Sequence, residues 1–284
     1  MRKRLRRLLS GVLSQNELAY IYSSYDIIGD IAIIRVTEGT RKYGEIIAEA
    51  IMQVHKNVET VLAQTNPVRG DFRLRRLELV AGEDKTVTIH RESGCLFSVD
   101  LEECYFSPRL SYERMRIARL VQRDETVVNM FAGVGCFSIV TAKHSNVGKV
   151  YSIDTNPTAI HYMKENIRLN TVYGRVIPVQ GDAKEVIEKR LRHVADRALM
   201  PLPRKAFEYL PYALLTLKNQ AKGWIHYYDF EHANKTENPA EKAKLKVAER
   251  LESLGVAFEV PFSHVVRTTG PNWYQIVLDI NVEQ

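Results

Sequence analysis

The chain has 284 residues, of which 45% are hydrophobic, 26% charged and 9% aromatic, with 15 Gly and 10 Pro. These are globular proportions, which exclude a disordered, collagen-like or disulfide-framework chain and leave room for about two domains at roughly 150 residues each. The longest apolar stretch, Val127 to Ala142, is about 16 residues and contains Asn129 and two glycines, short of the roughly 20 needed to span a bilayer. The three cysteines, Cys95, Cys104 and Cys136, form no CxxC pair and assemble no metal cage. Without a secretory signal they predict a reducing, cytoplasmic setting.

The formal net charge is +6, and Arg2, Lys3, Arg4, Arg6 and Arg7 supply five of those charges, leaving 35 basic against 34 acidic residues elsewhere. Residues 1–22 are therefore expected to be a basic arm. Such a run reads either as a phosphate-seeking tail that gains affinity by counterion release or as a solvated end that favours solubility.

Beyond the arm, Tyr25 to Val36 predicts a tight hairpin around Gly29-Asp30. Tyr43 to His55 has a helical period, with Ile46, Ile47, Ala50, Ile51 and Val54 on one face. Strand-like pieces follow at Val58–Leu62, Arg73–Val80, Thr86–His90 and Leu96–Phe106. Together, residues 23–100 predict a small α+β domain that serves as a platform.

From residue 101 onward the pattern changes. A helix over Ser111–Val121 is followed by alternating strands (Thr126–Phe131, Lys149–Asp154, Val176–Asp182, Arg197–Met200) and helices (Cys136–His144, Thr158–Leu169, Lys184–Arg192, Lys205–Leu217). This βαβ repetition predicts a parallel sheet with crossover helices. A strand at Trp224–Phe230, a helix at Ala240–Leu254 and two consecutive strands, Phe258–Arg267 and Trp273–Val282, close the sheet with an antiparallel hairpin. The expected class is α/β: a Rossmann-like sheet with a terminal hairpin over residues 101–284, laid out as in class I methyltransferases.

The stretch Val127 to Gly135 ends a strand in a Gly-x-Gly turn and opens a helix. Glycine is required where a side chain would block backbone amides from a ligand at a helix N-terminus. Asp154, 21 residues beyond Gly133, ends the second strand, where a carboxylate accepts from ribose hydroxyls. The loop and Asp154 do not by themselves separate a dinucleotide from S-adenosylmethionine; the fingerprint's third small-residue place holds Ser138, preceded by bulky Phe137, and it is strand-end acids at both Asp154 and Asp182 that look like a methyltransferase rather than a dehydrogenase. Asp182, ending the third strand, suits an adenine amino group. It also reads as a helix N-cap, and the two roles are compatible.

Four stretches then occur in order: Tyr105-Phe106-Ser107-Pro108-Arg109-Leu110 with Tyr112-Glu113-Arg114, Met130 to Gly135, Ile153-Asp154-Thr155-Asn156-Pro157, and Asp196 to Pro203. In these the chain closely resembles the archaeal and eukaryotic methyltransferases that modify the purine at position 37 of tRNA, next to the anticodon. The resemblance covers about residues 22–284. Members often carry an extra N-terminal tRNA-recognition domain, and with about 22 residues before the first hairpin that domain is expected to be absent. N1-methylating members end the fourth strand in Asn-Leu-Pro, whereas this chain has Pro201-Leu202-Pro203. A proline offers shape and a carbonyl where asparagine offers an orienting amide. That difference resembles the archaeal branch that methylates C7 of 4-demethylwyosine to isowyosine, some members of which also make 1-methylguanosine. The alternatives are a purely N1-methylating enzyme and, ranked lower, the aminocarboxypropyl transferases of the same fold and cofactor.

The resemblance implies further roles. Glu113 is the candidate general base, although a surface pairing with Arg114, Arg116 or Arg119 is its bland alternative. Arg73 or Arg75, expected to alternate along one strand, donates to the purine oxygen or a flanking phosphate; the bland alternative is a solvated face with Arg69 and Arg76. Pro201 and Pro203 shape the base pocket. Tyr105, Phe106 and Arg114 contact the methionine end of the cofactor, while Phe131, Ala132, Gly133 and Gly135 contact it at the loop. Asp154, Thr155, Asn156, Asp182 and Ala183 complete the expected cofactor contacts, and Arg109 is expected to brace its loop. Phe207, Tyr209, Tyr227 and Tyr228 are stacking candidates that read more readily as core. His226 and His264 read as structural, and Cys136 as a small core residue. The expected partner is tRNA, phenylalanine tRNA at its anticodon loop, with a monomeric protein, no metal and no membrane. A small-molecule methyltransferase and a non-catalytic tRNA-binding protein are the competing classes.

Overall fold

The computed structural model describes every residue except 1, 22–23, 66–69, 71, 73, 220–221 and 284, and describes 2–4 and 6 by backbone alone. The chain divides into two compact units, Met1–Arg109 and Leu110–Gln284. The boundary expected at 100 is where the last strand of the first unit ends, since Leu96–Phe106 is not one long strand. The strand stops at Asp100, whose carboxylate accepts from the amides of Glu102 and Glu103 and turns the chain.

The first unit opens with helices α1 (Arg2–Leu9) and α2 (Gln15–Tyr20), so the expected basic arm is a helical part of this unit. Leu5, Leu9, Leu13 and Leu18 are buried in one cluster with Ala32, Ile34, Ile47, Ile51 and Val61. Ser14 and Glu17 form a reciprocal capping box that starts α2. Strands β1 (Asp26–Ile28) and β2 (Ile31–Arg35) form the expected hairpin. Helix α3 (Gly44–Val54) then crosses to β3 (Thr60–Gln64), parallel to β2, and β4 (Leu77–Gly82) returns antiparallel. A separate ribbon of β5 (Val87–Glu92) and β6 (Cys95–Asp100) ends the regular structure.

The second unit begins with α4 (Ser111–Leu120) and continues through β7 (Thr126–Asn129), α5 (Cys136–His144), β8 (Lys149–Asp154), α6 (Pro157–Leu169) and β9 (Val176–Gln180). Then follow α7 (Ala183–Arg190), β10 (Arg197–Met200), α8 (Pro203–Thr216), β11 (Lys222–His232), α9 (Pro239–Ser253), β12 (Ala257–Gly270) and β13 (Trp273–Glu283). The seven strands are ordered β12-β13-β11-β10-β7-β8-β9, and β13 alone runs opposite to the others, antiparallel to β11 on one side and β12 on the other. This is the expected sheet with its terminal hairpin. The order of strand addition reverses between β7 and β10, with β8 and β9 added on one side and β10 and β11 on the other, and in open α/β sheets ligands bind at the strand ends beside such a switch point. One face is sealed by α7, α8 and α9, whose Ile187, Leu210, Ala213, Val247 and Leu251 pack with Val128, Ala198 and Ile225.

Candidate functional site

The loop after β7 is shaped by two left-handed residues, Gly133 (φ 56°) and Gly135 (φ 92°). A Cβ at Gly135 would lie 2.8 Å from Met163 Cγ on α6, so both backbone conformation and packing require glycine there. The Gly133 amide donates to Asp154 Oδ2 at 2.6 Å, and the Asn156 amide donates to Oδ1 at 2.9 Å. Burial pushes the Asp154 carboxyl above its ordinary range, against the pull of these backbone amides. A carboxylate has about four lone-pair directions, so Asp154 retains acceptor capacity for a ribose hydroxyl. Side-chain-free backbone at a helix N-terminus beside a strand-end acid suits an adenosyl cofactor.

A buried hydrogen-bonded set fixes this geometry. Asn129 Nδ2 donates to Ser138 Oγ at 3.1 Å, and Ser152 Oγ donates to the same oxygen at 2.7 Å. Asn129 and Ser152 are direct neighbours on β7 and β8, while Asn166 of α6 donates to the Val134 carbonyl. The polar residue inside the apolar run at 127–142 was the available signal. Ser138, noted only as unlike a dinucleotide fingerprint, is the centre of the set.

Asn156 caps α6 by accepting from the amides of Thr158 and Ala159, and Thr155 is exposed beside it. Asp182 caps α7 through the Lys184 amide at 2.8 Å and accepts from the Tyr209 hydroxyl at 2.6 Å. Burial, and then Asp182, push the Tyr209 hydroxyl above its usual range. The ring of Tyr209 meets half-buried Phe131 edge-on at 5.2 Å. Ala132 and Ala183 are buried. Where β10 ends, Pro201 is half-buried and Pro203 is the first residue of α8. Pro203 thus starts a helix, a position where its missing N–H costs nothing. Of the stacking candidates, Tyr209, Tyr227 and Tyr228 are buried, and Phe207 is the one at the surface.

Glu113, one turn into α4, is buried. Its carboxylate accepts from Arg116 Nε (2.9 Å) and Nη2 (2.6 Å) and from the Tyr228 hydroxyl (2.7 Å). The pairing with Arg116 foreseen as the bland alternative is present, but in the interior. Arg114 is also buried, its guanidinium 5.9 Å from the Phe137 ring centre. His226 is buried within the polar set that holds Arg116, whereas His264 is exposed on β12. Cys136 is a buried thiol.

In the first unit, Arg73 and Arg69 lie outside the described residues. Arg75 precedes β4, which starts at Leu77, so no strand alternation orients it. Its Nη2 donates to the Phe106 carbonyl at 3.0 Å. Phe106 is buried and meets His90 edge-on at 5.1 Å, while Tyr105 is half-buried. Arg109 donates to Asp26 at 2.7 Å, the bracing role expected of it. No helix among the described residues is long and apolar enough to cross a membrane.

The TRM5/TYW2 methyltransferase domain matches residues 88–254, more than half of the chain. The chain belongs to this family. The TYW2 N-terminal domain matches residues 5–86, which takes in most of the expected arm. The Pyrococcus abyssi tRNA (guanine(37)-N(1))-methyltransferase Trm5b is 41% identical over 93% of this chain and 76% of that protein. Its crystal structure superposes with a TM-score of 0.84, covering 96% of this chain and 79% of that one, at 40% identity. The Saccharolobus solfataricus tRNA 4-demethylwyosine(37)-methyltransferase Taw21 is 36% identical over 92% of this chain and 94% of that protein. A Methanocaldococcus jannaschii tRNA(Phe) (4-demethylwyosine(37)-C(7)) aminocarboxypropyltransferase is 34% identical over 92% and 98%. Pyrococcus horikoshii TYW2, solved in complex with MeSAdo, superposes with a TM-score of 0.77 at 28% identity, covering 100% and 99%. The class I fold, the methyltransferase class and S-adenosylmethionine as the family's cofactor agree with the expectations from sequence.

Proposed function

We propose that this TRM5/TYW2 family member methylates C7 of 4-demethylwyosine at position 37 of phenylalanine tRNA, giving isowyosine, with guanosine N1 as a possible second target. The observation that carries this reading is Pro201-Leu202-Pro203 at the end of β10. At Pro201 the chain presents no side-chain amide to orient a guanine edge, and shape selects the base. When bound, S-adenosylmethionine supplies an electrophilic methyl group. The chain's own residues hold it: the Gly133–Gly135 backbone accommodates the adenosyl portion, Asp154 accepts from the ribose, Asp182 from the adenine amino group, and Arg114 meets the carboxylate. Thr155, Asn156, Phe131, Ala132 and Ala183 line the nucleoside.

Methyl transfer forms a carbon–carbon bond at C7 as the carbon–sulfur bond breaks, and C7 then gives up its proton. Glu113, held by Arg116 and Tyr228, takes that proton. Arg75, or Arg73, steadies the purine oxygen. The basic α1 draws the tRNA backbone to the first unit.

The second reading, aminocarboxypropyl transfer, is favoured by the match of residues 5–86 to the TYW2 N-terminal domain. The two differ in the bond broken at sulfur and so in the coproduct. Incubation with S-adenosylmethionine and tRNA bearing 4-demethylwyosine is expected to release S-adenosylhomocysteine; methylthioadenosine in its place would overturn the methyl-transfer reading.

A further inference from the structure

Glu113 accepts from Tyr228 and from Arg116, and Arg116 is itself held from behind. The Arg116 guanidinium donates to Glu113 through Nε and Nη2, and to Asp279 through Nη1 (2.5 Å to Oδ2) and Nη2 (3.0 Å to Oδ1). The Phe262 ring lies 4.7 Å from its centre. Phe262 and Asp279 are direct partners on β12 and β13, and Asp279 and His226 on β13 and β11. His226 Nδ1 stands 2.6 Å from Asp279 Oδ1, and Arg197 Nη1 stands 2.6 Å from His226 Nε2. Arginine can only donate, so His226 accepts at Nε2, carries its proton on Nδ1 and is neutral. Arg197 in turn donates to both Glu125 oxygens, at 3.0 and 3.1 Å.

The chain of contacts Glu113–Arg116–Asp279–His226–Arg197–Glu125 therefore runs from α4 through β13 and β11 to β10. Every link after the first joins residues 29 or more apart in sequence. Burying Glu113, Asp279 and Arg197, with Glu125 and Arg116 half-buried beside them, is costly, and apolar replacements commonly serve stability as well. A bidentate fork clamped between two carboxylates and covered by a ring has one available orientation.

We propose that Asp279 and His226 are positioning residues for the reaction: they fix the Arg116 fork, and through it the Glu113 carboxylate, before substrate arrives. This rests on the reading of Glu113 as the proton acceptor. Preorganisation of this kind is expressed in the chemical step more than in binding. Asp279→Asn keeps the size of the side chain and removes the charge that holds the fork.

The test is a double-mutant cycle on turnover per S-adenosylmethionine-binding site, with Glu113→Gln, Asp279→Asn and the double variant. Asp279→Asn is expected to lower kcat about tenfold or more, with KM for tRNA and Kd for S-adenosylmethionine within about twofold. The double variant is expected to be no slower than Glu113→Gln alone, because Asp279 acts through Glu113. His226→Leu, which removes the donor that holds Asp279, provides the same cycle if Asp279→Asn does not fold. Full-rate Glu113→Gln would remove the underlying reading and the inference with it. A slow Glu113→Gln beside a full-rate Asp279→Asn, or losses that multiply in the double variant, would overturn the inference alone.

Discussion

The backbone N–H of Gly133 donates to Asp154 Oδ2 at 2.6 Å, tying the loop after β7 to the end of β8. One carboxylate thus shapes the glycine loop and stands ready for a ribose. Asp154→Ala removes both functions, and hydrogen bonds to charged groups contribute roughly 1.5–3 kcal/mol each. Affinity for S-adenosylmethionine is expected to fall about 100-fold or more by titration calorimetry, and unchanged affinity would contradict the assignment. Because burial raises the Asp154 carboxyl, wild-type affinity should decline on acidification from above the ordinary aspartate value near 3.9.

Leu5 and Leu9 are buried in the core of the first unit. If α1 is part of that core, Leu5→Ala should destabilise the unit by about 2–5 kcal/mol, the range for deleting a buried leucine. Urea unfolding followed by circular dichroism measures this. A change below about 0.5 kcal/mol would mean that α1 lies on the surface as a tail.

Acid should loosen the second unit in two stages. Burial pushes His226 below its ordinary value despite the hydrogen bond to Asp279. The unfolded state therefore binds more protons, and stability is lost as pH falls below about 6.5. For Asp279, burial opposes the charge but His226 and Arg116 outweigh it and hold the carboxyl well below its usual range. That contribution is present above about pH 3.9 and lost as pH falls towards the depressed value. Thermal unfolding from pH 8 to 3 is expected to show the first stage and the onset of the second, and His226→Gln should flatten the first; an unchanged slope would place the titration elsewhere.

Pro201 stands half-buried where β10 ends. Restoring an amide with Pro201→Asn is expected to move the product ratio towards N1-methylguanosine by several-fold in assays offering both nucleosides. An unaltered ratio would assign target choice to other residues.

Most of the second unit was legible because its signals are local. Strand 149–154, helix 136–144 and strand 197–200 have the bounds read from period and glycine placement. The first unit was less legible. Five basic residues suggested a phosphate-seeking or solvated arm, yet Leu5 and Leu9 are one helical turn apart in α1, Leu13 and Leu18 follow in the turn and in α2, and Ser14-x-x-Glu17 is a capping box. Arg75 was placed on a strand that begins only at Leu77, since β-propensity says little about where pairing starts. At the candidate site, Gly133, Gly135 and Asp154 follow from spacing. Arg116 was named beside Glu113 as a helical neighbour, but its second partner, Asp279, is 163 residues away, and only the strand order brings them together.

The most direct test of the proposed function is nucleoside mass spectrometry after incubating the protein and S-adenosylmethionine with two phenylalanine tRNAs, one carrying guanosine and the other 4-demethylwyosine at position 37. The account predicts conversion of the tricycle to isowyosine, with or without 1-methylguanosine from the first tRNA. Methylation of guanosine alone, or an aminocarboxypropyl adduct on the tricycle, would contradict it.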